Sequence, residues 1–315
     1  MLFAAVSCFL YWVWHEYTSP KNYQNQIRFI IEPGATADQV ASHLVTSGVL
    51  ESSWIFRLGA RFDDLTLKIQ SGEFLLNSGL STREILHHFA FGKTLQRSLT
   101  VPEGLNKWEV VDLVNSSLGL RGIIDARNLL EGSLFPDTYF YSWGDTREKL
   151  IERMKTKMDR SIKKSWALRN KASVLQSPKE LVTLASIIEK EASLTSERSR
   201  ISAVFNNRLK LGMRLQADPT VIYALTGGTR KLGRGLSRSD LRLRSPYNTY
   251  LIAGLPPGPI TNPGEVSLRA AAQPSNSTDL YFVSDGKGGH LFARTLYQHN
   301  INVARWRKLK RRKYR

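Results

Sequence analysis

The stretch 177–191, SPKELVTLASIIEKE, constrains the fold more than any other part of the chain. Ser177 suits a helix N-cap, Pro178 suits the first helical position, and Glu180 completes the spacing of a capping box. Apolar side chains then recur at helical spacing as far as position 188. The sequence therefore predicts a buried helix that ends in two carboxylates set one residue apart.

A helical wheel separates these carboxylates, Glu189 and Glu191. With Leu184 at zero and about 100° per residue, Glu191 falls at about −20°, inside the apolar stripe. Glu189 falls at about 140°, on the outer face, where we expect a solvated side chain or one paired with a nearby base. An ionised carboxylate is costly in apolar packing, so the pKa of Glu191 should rise and the group could act as a proton donor. The alternatives are that the helix frays at Glu191 or that a buried arginine pairs with it.

Composition limits the class of protein. Hydrophobic residues make up 42% of the 315 positions and charged residues 23%, which is typical of a folded globular chain. The formal net charge is +18, and the tail 304–315 contributes eight basic residues and no acid. Such a charge suits a polyanion or an anionic membrane surface, although a solvated tail without a specific target explains it as well.

Several kinds of site are disfavoured. The single cysteine, Cys8, excludes an intrachain disulfide and a cysteine-based zinc site. The six histidines lack ligand spacing, so we expect no metal and no cofactor. The GKT at 92–94 lacks the first glycine of a phosphate-binding loop, and no GxSxG supports a serine hydrolase.

The N-terminal segment is apolar. Residues 2–14 are uncharged and end in a Trp/Tyr cluster before His15. As a helix they would reach only about 20 Å, short of the ~30 Å hydrocarbon core of a bilayer. A truncated membrane anchor, an interfacial segment and a buried helix all remain open. The aromatic cluster and the switch to polar residues favour an anchor over 1–17.

The rest of the chain reads as an α+β protein with several regions. Strand and helix patterns alternate in a small module over 25–95, with a capping box at Ser81 and Glu84, and a connecting α+β region follows over 96–165. A further domain is placed at 166–303, ahead of the basic tail 304–315. Within this domain we expect a second helix over 197–211, a long loop over 247–264 and a hairpin over 279–292.

Polar and aromatic side chains gather after the predicted helix pair: Gln216, Asp218, Tyr247, Asn248 and Tyr250. Amides interleaved with tyrosines suit a groove for a neutral, hydroxyl-rich ligand such as a glycan. Loop packing and turn capping explain Asp218 and Asn248 equally well.

At these residues the sequence resembles the YceG/MltG family of membrane-anchored endolytic murein transglycosylases. The matching stretches include EGSLFPDTY, VTLASIIEKEASLTSER, VFNNRLKLGMRLQADPTVIYAL, YNTYLIAGLPPGPITNPG and LYFVSDGKGGHLF. Looser similarity at TVPEG and SGEFLL extends the resemblance over nearly all of the chain after the first two dozen residues. The short apolar N-terminus and the basic tail differ from the family pattern.

The resemblance implies a single-pass protein of the inner membrane with an extracytoplasmic catalytic domain, placed on 166–303. It also implies a LysM-like module, placed on 25–95. It implies cleavage of the MurNAc–GlcNAc β-1,4 bond within nascent peptidoglycan strands, without hydrolysis, to give 1,6-anhydro-MurNAc ends. It assigns the catalytic acid/base to the second glutamate of EKE, Glu191. Glu189, Gln216, Asp218, Tyr247, Asn248 and Tyr250 are the expected substrate-binding residues.

The expected partners are peptidoglycan strands, membrane lipid and peptidoglycan synthases. A rival hypothesis is a non-catalytic peptidoglycan-binding scaffold of the cell-wall synthesis machinery. Charge alone suggests a nucleic-acid binder, but counterion release by the tail would account for such binding, so no nucleic-acid partner is expected.

Overall fold

The structure is a computed structural model that describes residues 1–23, 25–170 and 173–313. The chain divides into two compact units. Unit 1 comprises Met1–Leu99, Ser117–Gly122 and Phe140–Arg147, and unit 2 comprises Thr100–Ser116, Ile123–Tyr139 and Glu148–Arg315. The predicted mixture of helices and small sheets is confirmed, while the bounds of the five predicted regions stay a prediction.

Unit 1 begins with one helix and continues as a strand–helix–helix–strand–helix series: α1 Leu2–Thr18, β1 Ile27–Ile31, α2 Ala37–Thr46, α3 Ser53–Phe62, β2 Gly72–Leu76 and α4 Thr82–Phe91. Strands β1 and β2 pair antiparallel, with Phe29 opposite Phe74. These two rings pack with Phe56 and Phe89 in a core that is closed to solvent. The capping box predicted for Ser81 and Glu84 is confirmed at the start of α4.

Helix α3 was not predicted from the sequence. It buries Ile55, Phe56, Gly59 and Ala60, which recur at helical spacing within SWIFRLGARF. Gly59 is needed because the Tyr17 ring lies where its side chain would be. The segment between β1 and β2 therefore contains two helices, one more than the sequence patterns indicated.

The predicted membrane anchor corresponds to α1. Its side chains Phe3, Phe9 and Trp12 are 86%, 56% and 48% exposed. Within the described ranges, no helix combines the length and apolar character that a membrane crossing requires. The anchor, like the LysM-like module, therefore stays a prediction.

The middle of the chain contains β3 Gln96–Thr100, α5 Lys107–Asn115, a 3-10 turn at Ala126–Asn128, β4 Thr138–Ser142 and α6 Arg147–Ala167. Strands β3 and β4 form a second two-stranded sheet. The remaining elements belong to unit 2: α7 Pro178–Glu191, a 3-10 turn at Thr195–Glu197, α8 Arg198–Lys210, α9 Asp218–Thr226, a 3-10 turn at Asp240–Arg242, α10 Glu265–Ala272, β5 Tyr281–Ser284, β6 His290–Ala293 and α11 Leu296–Lys313.

Helix α7 is the centre of unit 2. Its inner side chains are fully buried: Leu181, Leu184, Ile187 and Ile188. Helices α10 and α8 pack against α7. The second predicted helix matches α8, and Gly212 follows it at φ +64°. The predicted hairpin is β5 paired antiparallel with β6. Residues 304–313 of the predicted basic tail belong to helix α11, which packs on both strands of this hairpin.

Candidate active site

The N-terminus of α7 fixes the position of its last turn. The Ser177 hydroxyl accepts the Glu180 N–H at 3.2 Å, as expected of an N-cap. The Glu180 carboxylate accepts the Gln176 N–H at 2.6 Å instead of bonding back to Ser177, so only half of the predicted capping box forms. The helix runs without a break to Glu191, and the predicted alternative of fraying before that residue is not observed.

Glu191 ends α7 at a cleft of about 510 Å³. The residue is partly exposed, since apolar packing covers the helix up to Ile188 and the cleft opens at its last turn. The cleft is lined by Glu191, Arg208, Leu215, Gln216, Asp218, Tyr250, Phe282, Val283, Ser284, His290, His299, Val303 and Trp306. Three of the residues predicted to contact substrate, Gln216, Asp218 and Tyr250, therefore share one cleft with Glu191.

The surroundings of Glu191 favour its protonated form. Burial, and next the negative charge of Asp218, raise the pKa of the Glu191 carboxyl to about 8. The Arg208 guanidinium and the Asp218 N–H oppose this shift. Near neutral pH most molecules would hold a proton on this carboxyl, in a cleft that a ligand can enter. That is the state required of a general acid.

Asp218 and Tyr250 form a pair beside Glu191. The Tyr250 hydroxyl donates to Asp218 Oδ1 at 2.6 Å, and burial with this bond raises the pKa of Tyr250. Asp218 is the first residue of α9, so its backbone N–H is free of helical bonding and can face the Glu191 carboxyl. Asp218 thus supplies Glu191 with both a charge that raises its pKa and a hydrogen bond.

Gln216 precedes α9 in a left-handed backbone conformation, with φ +53°. Such a conformation is uncommon for a residue with a side chain, and it is retained when the surroundings impose it. Here the Gln216 N–H donates to the Thr249 carbonyl at 3.1 Å. The strained turn places the Gln216 amide on the wall of the cleft.

Arg208 is a fixed cation in the same cleft. Its Nε donates to the Leu280 carbonyl at 2.6 Å and its Nη1 to the Leu215 carbonyl at 2.8 Å. Burial lowers the pKa of this guanidinium. Because it is held by carbonyls and not by a carboxylate, Arg208 retains a net positive charge near Glu191.

Of the two expectations for Glu189, the pairing with a nearby base is observed, and the solvated position is wrong. Its side chain is 4% exposed, and Glu189 Oε1 accepts Arg198 Nη2 at 2.8 Å. Glu189 Oε2 accepts the Gly264 N–H at 3.0 Å. The wheel could not show this outcome, because Arg198 and Gly264 come from elements that cover the outer face of α7. With both oxygens occupied, the predicted substrate contact of Glu189 finds no support.

Tyr247 and Asn248 do not line the cleft. Asn248 is 0% exposed; its side-chain amide donates to the Leu241 and Leu243 carbonyls and accepts the Tyr250 N–H. It holds the loop that carries Tyr250, as the turn-capping interpretation expected. Tyr247 packs on Tyr223, with ring centroids 4.9 Å apart. Their predicted contacts with substrate therefore find no support.

Sequence reasoning missed the part of the cleft that comes from the hairpin and α11. His290 Nδ1 lies 2.7 Å from Glu197 Oε2, and Phe282 packs edge-on against the His290 ring. The HLF run after the glycine turn was the available signal for His290, but histidine spacing was tested only for metal binding. In the part of the chain that the structure describes, no cluster of three or more His, Cys, Asp or Glu side chains could hold a metal ion.

Another carboxyl with a raised pKa, that of the partly exposed Glu131, lies elsewhere in unit 2. Burial raises the pKa of Glu131 to about 7, although the Lys107 N–H donates to it at 2.9 Å and the Tyr223 hydroxyl at 3.2 Å. It belongs to the EGSLFPDTY motif. Both of its oxygens accept hydrogen bonds inside the unit, and it does not line the Glu191 cleft.

Comparisons with known proteins agree with this organisation. The model of the YceG-like family matches residues 29–305. An endolytic murein transglycosylase of Bacillus subtilis is 33% identical over 89% of this chain and 84% of its own length. A pneumococcal protein of the same description is 28% identical, and the aligned region spans 57% of it. A crystal structure of a yceG-like protein from Listeria monocytogenes has 30% identity and a TM-score of 0.54, covering 89% of this chain and 99% of that one.

Proposed function

The chain belongs to the YceG-like family, and we propose that it is a peptidoglycan lytic transglycosylase with Glu191 as its acid and base. The observation that carries the proposal is a carboxyl with a raised pKa at the end of a buried helix, opening into a cleft with amide, hydroxyl and guanidinium groups. The descriptions of the relatives, endolytic murein transglycosylases, support the same reaction class.

The proposed reaction breaks the MurNAc–GlcNAc β-1,4 bond. Protonated Glu191 gives its proton to the glycosidic oxygen as the bond from that oxygen to C1 of MurNAc breaks. The 6-hydroxyl oxygen of the same MurNAc then bonds to C1, and its proton returns to the Glu191 carboxylate. The balance closes with no water consumed and a 1,6-anhydro end formed. Hydrolytic glycosidases need a second carboxylate as nucleophile or base, whereas here one group serves both steps.

The neighbours of Glu191 suit this cycle. The Asp218 charge keeps the acid protonated before bond cleavage, and it also favours the positive charge that develops at C1. The fixed Arg208 cation and the Asp218 N–H favour the carboxylate that follows. We assign substrate positioning to Gln216 and Tyr250, which line the same cleft.

The test is mass spectrometry of products from uncrosslinked glycan strands. The unsubstituted chain should release fragments with 1,6-anhydro-MurNAc ends, and Glu191→Gln should lower the rate by about 10²–10⁴-fold because an amide cannot donate the proton. Glu180→Gln, at the other end of α7, is the control and should retain activity. Reducing MurNAc ends would indicate hydrolysis instead, and full activity of Glu191→Gln would refute the assigned acid.

The rival is a scaffold that binds glycan strands without cutting them. An unsubstituted chain that binds uncrosslinked strands but releases no fragment would favour this scaffold. Peptidoglycan synthases stay predicted partners under either function.

We also propose that residues 25–95 form a LysM-like module that binds glycan. Its support is the β1–α2–α3–β2 order with antiparallel outer strands, and a cleft of about 620 Å³ bordered by β1, Ala35 and α2. Ala35→Trp would fill this cleft and should reduce retention of the inactive Glu191→Gln chain on peptidoglycan. Unchanged retention would remove the assignment.

For localisation, we propose that α1 contacts the inner membrane and that the catalytic unit lies outside the cytoplasm. The exposed apolar side chains of α1, including Phe9 and Trp12, support lipid contact. Replacing both by glutamate should move the chain from the membrane to the soluble fraction. Protease added to spheroplasts should digest the catalytic unit; protection of that unit would contradict the proposed side.

A further inference from the structure

Helix α11 supplies one wall of the Glu191 cleft. His299, Val303 and Trp306 follow one another at spacings of four and three residues, so they share one helix face, and all three line the cleft. Trp306 lies one residue beyond the match to the family model. Helix α11, which includes residues 304–313 of the basic tail, therefore adds an aromatic side chain to the site.

The Trp306 indole is suitably placed for a ligand. The residue is partly exposed, and the Lys310 ammonium, one turn further along α11, lies 5.3 Å from the centroid of its ring. Val303 and His299 continue the wall toward the hairpin, where the His299 ring stacks on Tyr281 at 5.1 Å. The Lys310 contact restricts the indole on one side, and Trp306 is partly exposed where it lines the cleft.

A pyranose ring matches such a wall. Its axial C–H groups form an apolar face, and its hydroxyl and amide substituents form a polar rim. A flat indole packs well on the apolar face, while a rim needs hydrogen-bonding groups such as Gln216 and Tyr250, which the same cleft provides.

We propose that Trp306 is a substrate-positioning residue that stacks on a sugar ring of the glycan strand beside the bond cleaved at Glu191. The identity of the ligand rests on the proposed function. Trp306 contributes binding and takes no part in proton transfer, so its loss should weaken binding of ground state and transition state alike.

Calorimetry with uncrosslinked glycan oligomers in the inactive Glu191→Gln background tests this role. Adding Trp306→Ala should raise Kd about 5- to 20-fold, and Trp306→Phe should restore most of the loss because a flat ring is retained. Tyr297→Ala is the matched control: this aromatic lies on α11 about 180° from Trp306 and is 76% exposed. It should leave Kd unchanged.

Kinetics on the active chain provide the second readout. Trp306→Ala should raise KM by a similar factor, with kcat changed less than about 2-fold. An unchanged Kd for Trp306→Ala, or an equal loss for Tyr297→Ala, would overturn the proposal. So would a fall in kcat at constant KM.

The two proposals fail in different ways. If the chain that retains Glu191 releases no 1,6-anhydro product, the proposed transglycosylase function is refuted. A specific loss of glycan binding by Trp306→Ala would still support stacking in that case. If the 1,6-anhydro product is released normally and Trp306→Ala binds glycan as the unsubstituted residue does, only the proposed stacking role of Trp306 is refuted.

Discussion

At the scale of single residues, the two glutamates of EKE have different surroundings. Glu191 lines a cleft, and the pKa of its carboxyl is raised. Glu189 instead accepts hydrogen bonds from Arg198 and from the Gly264 N–H. Burial raises the pKa of the Glu189 carboxyl too, with the Gly264 and Arg198 contacts opposing the shift. A single intervening residue, Lys190, turns one side chain to a cleft and the other to an ion pair.

The pKa of Glu191 predicts the alkaline side of the pH–rate profile. Because the acid must be protonated to act, activity should fall as pH rises through about 8. Asp218→Asn removes a charge that raises this pKa, so the fall should begin roughly 0.5–1 pH unit lower. Asp125→Asn, at an exposed acid, should leave the profile unchanged. A profile of Asp218→Asn that coincides with that of the unsubstituted chain would contradict this account.

The ion pair of Glu189 with Arg198 predicts a large effect on stability. The two side chains are 4% and 10% exposed, so Arg198→Ala leaves a buried carboxylate without its cation. The free energy of unfolding should fall by about 3–5 kcal/mol, measured by urea titration. Arg127→Ala breaks the exposed pair with Asp125 and should have no measurable effect. Equal stability of the two variants would show that the buried pair is dispensable.

At the scale of elements, α7 is positioned by loops that pack closely on it. Gly132 has φ +76°, and a methyl group there would lie 2.7 Å from Pro259 and 3.0 Å from Val182 of α7. The EGSLFPDTY and LPPGPITNPG motifs thus meet on α7 at a position that only glycine fits.

Gly132→Ala should therefore destabilise unit 2 by about 2–4 kcal/mol, through the positive φ and the clash together. Gly212→Ala is the matched control, because it has φ +64° but nothing within 4 Å of the added methyl group. It should cost only about 1 kcal/mol. Thermal unfolding measures both, and equal losses would remove the clash as the cause.

At the scale of the whole molecule, the two units have separate cores. Leu44 is fully buried in unit 1 and Leu184 is fully buried in α7. Leu-to-Ala substitution at either position should cost about 2–5 kcal/mol. Hydrogen exchange read by peptide should show Leu44→Ala loosening 27–91 while α7 stays protected, and Leu184→Ala doing the reverse. Loosening of both units by either substitution would indicate one cooperative core.

Local signals in the sequence determined a good part of this protein. The N-caps at Ser81 and Ser177, the start of α8 near 198 and the hairpin at 281–293 all follow from short-range rules of capping, periodicity and turn chemistry. The same periodicity placed Glu191 inside the apolar stripe of α7, because a helix turns by a fixed angle per residue. The placement of these elements and the placement of Glu191 both rest on residues within a few positions of each other in the sequence.

Only the tertiary structure decided which distant groups meet. The fate of Glu189 depends on Arg198 and Gly264, and Trp306 joins the Glu191 cleft from the far end of the chain. Periodicity identifies the face on which a side chain lies, but not what packs against that face. Long-range packing supplies those partners, and no local pattern encodes them.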